Sequence, residues 1–275
     1  VLPDGSPCRH GTGRACHREG CVSLAGLGRV LVQHGLWQRW RDVFDAIVAN
    51  SEWTMRRVRA EGVPATIAIH NGVAVRPARP PLAAPPTVGY AGRLVAKKGL
   101  DLLLRAVARV AEDVPAVALV IAGDGPDRAA VEATVRALAL ESRVTMLGHV
   151  AHAELENALA PAWVQAVPSI WEEPFGLVAA EAMMRGTAVI ASDTGGLTET
   201  VRHERTGLLV PSGDDAALAN ALGRLLRDHG LVERMGAAGR AIALAELTED
   251  RVTERFLDVY ESLLARGASR PAASL

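Results

Sequence analysis

The chain has 275 residues, of which 49% are hydrophobic and 22% are charged, and its formal net charge at pH 7 is −1. This length allows about two domains with a substantial apolar core, and the charge gives no reason to expect a nucleic-acid or anionic-membrane partner. No apolar run approaches the roughly 20 residues of a membrane-spanning helix. The chain starts at Val1 and has three cysteines, an odd number for a disulfide framework. We therefore expect a fragment of a cytoplasmic protein with reduced or metal-bound thiols.

Residues 1–23 have no hydrophobic periodicity and are predicted to form an irregular loop. The loop holds Cys8, His10, Cys16, His17 and Cys21. Thiolate and neutral imidazole are good zinc ligands, but these spacings do not match the paired C-x-x-C pattern. A metal site and an unligated loop therefore both stay open for this segment, and we assign no metal to the functional site.

The next stretch predicts a long helix and two short strands. Leu24 to Arg41 is expected to be a helix, either packed on a core with its arginines in solvent or weakly touching a membrane surface. The run Asp45–Ser51 predicts a strand that ends in the cap of a helix reaching about Glu61, and Thr66–Ile69 predicts a second strand. The proline-rich run Val73–Thr87 then predicts an interdomain linker.

From Val88 onward, strands and helices alternate. The predicted strands are Thr87–Ala91, Ala116–Ala122, Val144–Leu147, Trp163–Val167, Ala188–Ala191 and Gly207–Val210, and the predicted helices fall near 99–112, 127–139, 152–160, 175–185, 196–202, 215–228, 231–244 and 248–265. Apolar strands that alternate with helices are typical of a parallel sheet covered on both faces. Ligands bind such sheets beyond the carboxyl ends of the strands, so we expect functional residues in the loops that follow the strands.

One stretch, Glu173–Glu181, places two acids around a predicted helix start. A helix N-terminus offers unpaired N–H groups and a partial positive charge to an anion, and Gly176 lets a ligand approach the backbone. Carboxylates repel phosphate but accept hydrogen bonds from paired hydroxyls. The layout fits a nucleotide-sugar, with its sugar, diphosphate and ribose in a row. Spacing alone leaves open the alternative of a surface helix whose acids are merely solvated.

Several spaced motifs resemble those of the group 1 glycosyltransferases, which are retaining enzymes of the two-domain GT-B fold (family four in the sequence classification). The motifs are Pro168-Ser169, Glu173-Pro174-Phe175-Gly176, Glu181-Ala182-Met183, residues 186–191, Gly195-Gly196, Glu199 and residues 206–210. The similarity covers most of residues 45–265. It implies an α/β fold of GT-B type, with one complete Rossmann-like C-terminal domain and the tail of a second α/β domain.

The resemblance also implies roles for individual residues. Arg93 and Lys98 match the family's diphosphate-binding pair, and Glu173 matches the acid that binds the donor-sugar hydroxyls, so we take these three as the catalytic set. Glu181 matches the acid on the ribose hydroxyls. The other predicted substrate-binding residues act mainly through their backbone: Phe175, Gly176, Leu177, Val150 and Gly123. His149 would lie at the wrong end of the donor for proton transfer at the sugar, so we assign it no catalytic role.

The implied activity is transfer of a hexose-like sugar from a nucleotide-diphosphate-sugar to a sugar, lipid or small-molecule acceptor, with retention of anomeric configuration. No Asp-x-Asp pair is present to hold a divalent metal on the diphosphate, so we expect neither a metal nor a cofactor.

The predicted domains are a remnant of the acceptor-side domain (1–72), the linker (73–87), the nucleotide-sugar domain (88–265) and a tail (266–275). We expect this fragment to bind donor without transferring sugar. The alternative is a non-catalytic nucleotide-sugar-binding or regulatory module.

Overall fold

The computed structural model describes residues 13–64 and 66–268. Their contacts divide them into two units, one formed by Val73–Glu246 and the other by the described residues up to Gly72 together with those from Leu247 onward. The helices are α1 (Ala15–Arg18), α2 (Leu24–Trp40), α3 (Glu52–Ala60), α4 (Leu100–Asp113), α5 (Arg128–Ala137), α6 (His152–Leu159), α7 (Leu177–Arg185), α8 (Leu197–Thr200), α9 (Asp215–Arg227), α10 (His229–Glu246) and α11 (Glu249–Ala268). The strands are β1 (Ile47–Ala49), β2 (Thr66–Ala68), β3 (Thr87–Ala91), β4 (Ala118–Ala122), β5 (Val144–Gly148), β6 (Val164–Val167), β7 (Ala188–Ser192) and β8 (Gly207–Val210).

The smaller unit holds a two-stranded parallel sheet made of β1 and β2. Ser51 caps α3, because its hydroxyl accepts a hydrogen bond from the Thr54 N–H at 3.0 Å. Helix α2, all of which is described, has no buried residue, and Leu24 and Val32 are 71% and 62% exposed. The expected packing of α2 on a core is therefore not found within the described residues, since two short strands offer little apolar surface to cover.

The larger unit is built on a six-stranded parallel sheet with the order β5-β4-β3-β6-β7-β8. Every residue of β6 and β7 is buried, as expected for central strands with both faces covered. Helix α4 packs against α9, and α7 packs against α10. Because the chain returns to the middle of the sheet to form β6, the switch point lies between β3 and β6, where ligand crevices open in such folds.

The predicted parallel α/β architecture is confirmed, with changes at the ends of some elements. Strand β4 begins at Ala118 rather than Ala116, because Pro115 and Ala116 form a turn. Helix α8 is only four residues long, because Val201 already has an extended backbone (φ −97°, ψ 118°).

Two segments differ from the predicted domain organisation. Within the predicted linker, the Arg79 N–H donates to the Arg185 carbonyl at 2.8 Å and its guanidinium pairs with Glu233 at 3.0 Å, so this part is fixed on the larger unit. Helix α11, predicted to close the nucleotide-sugar domain, groups with the smaller unit instead. There Gly72 lies so near it that a Cβ would be 3.0 Å from the Glu249 Cα. The other domain boundaries stay predictions.

Cys8 and His10 of the Cys/His loop lie outside the described residues, as do residues 269–275 of the predicted tail. Cys16 and Cys21 are free thiols. Among the described residues, no group of three or more His, Cys, Asp or Glu side chains could hold a metal ion. No helix in the described part of the chain is long and apolar enough to cross a membrane.

Candidate active site

A cavity of about 410 Å³ opens at the carboxyl ends of three neighbouring strands on one side of the switch point. It is lined by the ends of β3, β4 and β5 and by one residue each of α6 and α7: Ala91, Gly92, Arg93, Ala122, Gly123, Asp124, His149, Val150, Leu155 and Val178. Three of the predicted site residues, Arg93, Gly123 and Val150, therefore meet in one cavity. Arg93 is exposed there, and no described residue forms an ion pair with it.

Backbone hydrogen bonds hold the cavity walls together. The Gly92 N–H donates to the Ala122 carbonyl at 3.0 Å, and the Gly123 N–H donates to the Gly148 carbonyl at 2.8 Å. Gly123 has a φ of +151°, and a Cβ on it would lie 1.9 Å from the Gly92 oxygen. Only glycine fits this crossing, so the role of Gly123 here is to let two loops approach each other.

A second group of predicted residues lies in the loop between β6 and α7, which we call the charged loop (residues 168–176). The Lys98 ammonium forms an ion pair with Oε1 of Glu173, and the Ser169 hydroxyl donates to the same oxygen at 2.7 Å. The side chains of Lys98 and Glu173 are 27% and 10% exposed. No described residue donates a hydrogen bond to the other carboxylate oxygen of Glu173, Oε2, which leaves that oxygen for a ligand.

Trp171 holds the two lysines of the neighbouring loop against the charged loop. The Lys97 and Lys98 ammonium groups lie 4.1 Å and 5.4 Å from the centroid of its ring, within the range of cation–π attraction. The N–H groups of Ile170 and Trp171 also donate to the Lys97 carbonyl, at 2.9 Å and 3.4 Å. Sequence reasoning missed Trp171. The available signal was an aromatic residue two positions before the acid Glu173.

Helix α7 starts at the end of the charged loop with its first N–H groups uncapped. Gly176 precedes it with a φ of +93° and no side-chain cap, and the Phe175 ring is buried in the core. The Phe175 carbonyl accepts a hydrogen bond from the Thr200 hydroxyl at 2.7 Å, which fixes the entry to the helix. Leu177 is half exposed, and the N-terminal N–H groups of α7 are available to an anion.

One buried side chain, Tyr90, is influenced by residues of both groups. Tyr90, at the end of β3, is buried, and its hydroxyl lies 3.5 Å from the Arg93 carbonyl. Burial, and then the negative charge of Glu173, raise the pKa of the Tyr90 hydroxyl well above its ordinary value, so Glu173 is close enough to act on it.

Glu181 lies one turn after a cavity-lining residue of α7. Val178 lines the cavity, and residues three apart on a helix are neighbours on its surface. Glu173, Glu181 and Lys98 are not among the cavity-lining residues themselves. Lys98 follows the cavity-lining Arg93 by five residues in the chain, and His149, to which we gave no catalytic role, lines the cavity.

A parallel sheet with a cleft at its switch point, and with cations beside acids at the strand ends, is the arrangement of nucleotide-binding α/β proteins. The chain belongs to the glycosyl transferases group 1, whose family model matches residues 76–242, more than half of it.

Curated relatives agree with this membership. The chain is 35% identical over 254 residues to the phosphatidyl-myo-inositol mannosyltransferase of Mycobacterium leprae, covering 88% of this chain and 66% of the relative. It is 30% identical over 178 residues to the alpha-D-kanosaminyltransferase of Streptomyces kanamyceticus, covering 65% of this chain and 46% of the relative. The chain therefore spans just under two thirds of the first relative and about half of the second.

Solved structures show the same fold. Anabaena HepE in complex with UDP has a TM-score of 0.74 and 26% identity, covering 79% of this chain and 64% of that one. Sucrose-phosphate synthase of Thermosynechococcus elongatus has a TM-score of 0.73 and 34% identity, covering 81% and 59%. The predicted fold class, α/β of GT-B type, is confirmed by these similarities.

Proposed function

We propose that this chain carries the donor site of a retaining glycosyltransferase that uses a nucleotide-diphosphate-sugar. The observation that carries the proposal is the Lys98–Glu173 pair, whose acid lies in the charged loop that leads into the uncapped start of α7. Positive charge for a diphosphate and a carboxylate for sugar hydroxyls are thus placed side by side, as a nucleotide-sugar requires.

In this proposal each charged group acts on a different part of the donor. Arg93 and Lys98, together with the first N–H groups of α7, stabilise the negative charge that develops on the leaving diphosphate. They supply from the protein the charge that a divalent cation supplies in other transferases, so no metal is required. Oε2 of Glu173 accepts a hydrogen bond from a hydroxyl of the donor sugar. The Glu181 carboxylate accepts hydrogen bonds from the ribose hydroxyls.

The Lys98–Glu173 pair implies an exchange of partners when the donor arrives. A diphosphate competes with Glu173 for the Lys98 ammonium, since both are anions that accept charged hydrogen bonds. When Lys98 turns to the diphosphate, Glu173 loses its countercharge and regains capacity to accept hydrogen bonds. A second sugar hydroxyl then replaces the ammonium at Oε1. The pair thus couples recognition of the diphosphate to recognition of the sugar.

Relatives differ in the donors that their names give. Solved HepE structures contain UDP and UDP-glucose, whereas a 36% identical relative from Mycobacterium tuberculosis is named as GDP-mannose-dependent. A thermal-shift panel of UDP, GDP and their glucose and mannose derivatives tests the donor site directly. We expect one nucleotide-sugar series to raise the melting temperature, and no shift with any member would contradict the proposal.

Transfer itself requires an acceptor hydroxyl held within about 3–3.5 Å of the anomeric carbon. We propose that residues beyond these 275 hold the acceptor, because the relatives compared above are longer than this chain. The chain then binds donor without turnover. The competing function is a nucleotide-sugar-binding or regulatory module. Sugar transfer to a mixed acceptor panel by a longer chain that includes these residues would exclude the non-catalytic module. Sugar transfer by the 275-residue chain alone would contradict the proposal that the acceptor is held by other residues.

The remaining predictions concern the setting of the enzyme. A cytoplasmic location and a weak membrane contact through α2 stay predictions. So do the acceptor's identity and the retention of anomeric configuration, which the configuration of an isolated product would test.

A further inference from the structure

Helix α7 ends in an arginine that is almost completely buried. Arg185 is its last residue and is only 3% exposed. Arginine is rarely buried without partners, because removing its charge from water is costly. Nothing in the proposed chemistry so far uses this residue.

The guanidinium of Arg185 lies among three elements. Its Nη1 donates to Oε1 of Glu156 on α6 at 3.4 Å, and its Nη2 donates to Oε1 of the buried Gln165 on β6 at 3.4 Å. Its Nε has no hydrogen-bond partner in the described part of the chain. Glu181 lies four residues earlier on α7, the spacing at which side chains of a helix face each other.

The charges around Arg185 show why it is tolerated there. Burial lowers the pKa of the Arg185 guanidinium, and the negative charges of Glu156 and Glu181 oppose that shift. An apolar side chain of similar size would fill the space without this desolvation cost. Packing alone therefore does not account for an arginine, whereas a requirement for positive charge near Glu156, with which it pairs, and near Glu181 does.

The two acids near Arg185, Glu156 and Glu181, each lie close in the chain to a residue that lines the cavity. Leu155, which precedes Glu156 on α6, lines the cavity, and so does Val178, one turn before Glu181 on α7. We propose that Arg185 is a positioning residue that ties α7 to α6 and holds the Glu181 carboxylate where it accepts the hydroxyls of a ribose. This inference rests on the proposed function, in which Glu181 binds the ribose of a nucleoside diphosphate.

The inference predicts a specific consequence for ligand selection. A carboxylate fixed in place distinguishes a ribose from a 2′-deoxyribose, because the deoxy ligand leaves one of its hydrogen bonds unmade. A carboxylate that moves freely makes weaker bonds to both ligands. The quantity to measure is therefore the ratio of the affinities for a ribonucleoside diphosphate and its 2′-deoxy counterpart, rather than either affinity alone.

The test uses calorimetry on the 275-residue chain with whichever of UDP and GDP binds more tightly, and with its 2′-deoxy form. The variants are Glu181→Ala, Arg185→Met and Glu156→Gln. The control is Glu154→Gln, which changes an exposed acid on the helix that also carries Glu156, α6. We expect Glu181→Ala to lower the ratio about tenfold or more, and Arg185→Met to lower it about threefold to tenfold, with a smaller fall in Glu156→Gln. The control should leave the ratio unchanged.

Combining variants tests whether Arg185 acts through Glu181. The double variant Arg185→Met/Glu181→Ala should show the ratio of Glu181→Ala alone, because nothing is left to position. Additive losses would overturn the inference, as would unchanged ratios in both Arg185→Met and Glu156→Gln while Glu181→Ala lowers it. If Arg185→Met does not fold, Glu156→Gln decides. An unchanged ratio in Glu181→Ala would instead overturn the ribose assignment in the proposed function, and this inference with it.

Discussion

The two halves of the candidate site are built in different ways. The cavity, formed by the loops after β3, β4 and β5, depends on backbone contacts and on a glycine at a crossing where no side chain fits. The charged loop depends on side chains: an ion pair, a serine hydroxyl and an indole ring that attracts two ammonium groups. The cavity half is therefore fixed by folding, whereas the charged half can exchange its partners for those of a ligand.

The largest effect should come from a substitution in the cavity half, and it should lower the free energy of unfolding. Gly123→Ala places a Cβ 1.9 Å from the Gly92 oxygen, so one loop must move. We expect the free energy of unfolding to fall by about 2–4 kcal/mol, from backbone strain and the clash together. Denaturant unfolding measures this.

Gly213→Ala is the matched control, because its φ is +84° but nothing lies within 4 Å of the added Cβ. It should cost about 1–2 kcal/mol, the strain of a left-handed residue alone. Equal losses in the two variants would show that the close approach of the loops does not matter.

In the charged half, removing a cation should weaken binding, and loss of the countercharge of the buried Glu173 should also lower the free energy of unfolding. Lys98→Ala should lower the affinity for a nucleotide-diphosphate-sugar by about 1.5–3 kcal/mol, the usual contribution of a charged hydrogen bond, or roughly ten- to a hundredfold. Arg109→Ala, which removes an exposed cation of α4 paired with Asp215, is the control and should change binding little. Calorimetry in which both variants lose the same affinity would point to a general charge effect.

The acid of the same pair should respond differently to the two ends of the donor. Glu173→Ala removes an acceptor for the sugar but also frees Lys98 for the diphosphate. We expect the sugar-bearing ligand to lose about 1–2 kcal/mol of affinity and the bare nucleoside diphosphate to lose less or to gain. Calorimetry with both ligands tests this, and equal losses would contradict the role assigned to Glu173.

The same contrast explains what could be predicted from the sequence. The alternation of apolar strands and helices predicts the sheet, because burial on both faces leaves a continuous apolar pattern. The motifs predict the loop positions of Arg93 and Glu173, since loops after parallel strands converge. The ion pair that joins Lys98 to Glu173 could not be predicted, because it depends on how two loops 75 residues apart meet. The placement of α11 also escaped prediction, since its amphipathic pattern does not say which unit it covers.

The smallest effect should come from the edge of the charged half, at Lys97. Its ammonium lies over the Trp171 ring, and a cation–π contact at an exposed position contributes about 0.5–1 kcal/mol. Lys97→Met keeps most of the aliphatic length and removes the charge. Because the contact exists without ligand, its loss lowers donor affinity only as far as the contact orders the loop for binding, so we expect a fall of at most about twofold to fivefold, the equivalent of that energy. Loss of positive charge alone would also lower affinity for the anionic donor. Repeating the substitution in a variant without the Trp171 ring separates this charge effect from the loss of the cation–π contact. In Trp171→Leu, which has no ring to hold the ammonium, Lys97→Met should have little further effect on binding. An undiminished loss in that background would show that Lys97 acts on the ligand through its charge alone, and that the indole does not organise this half of the site.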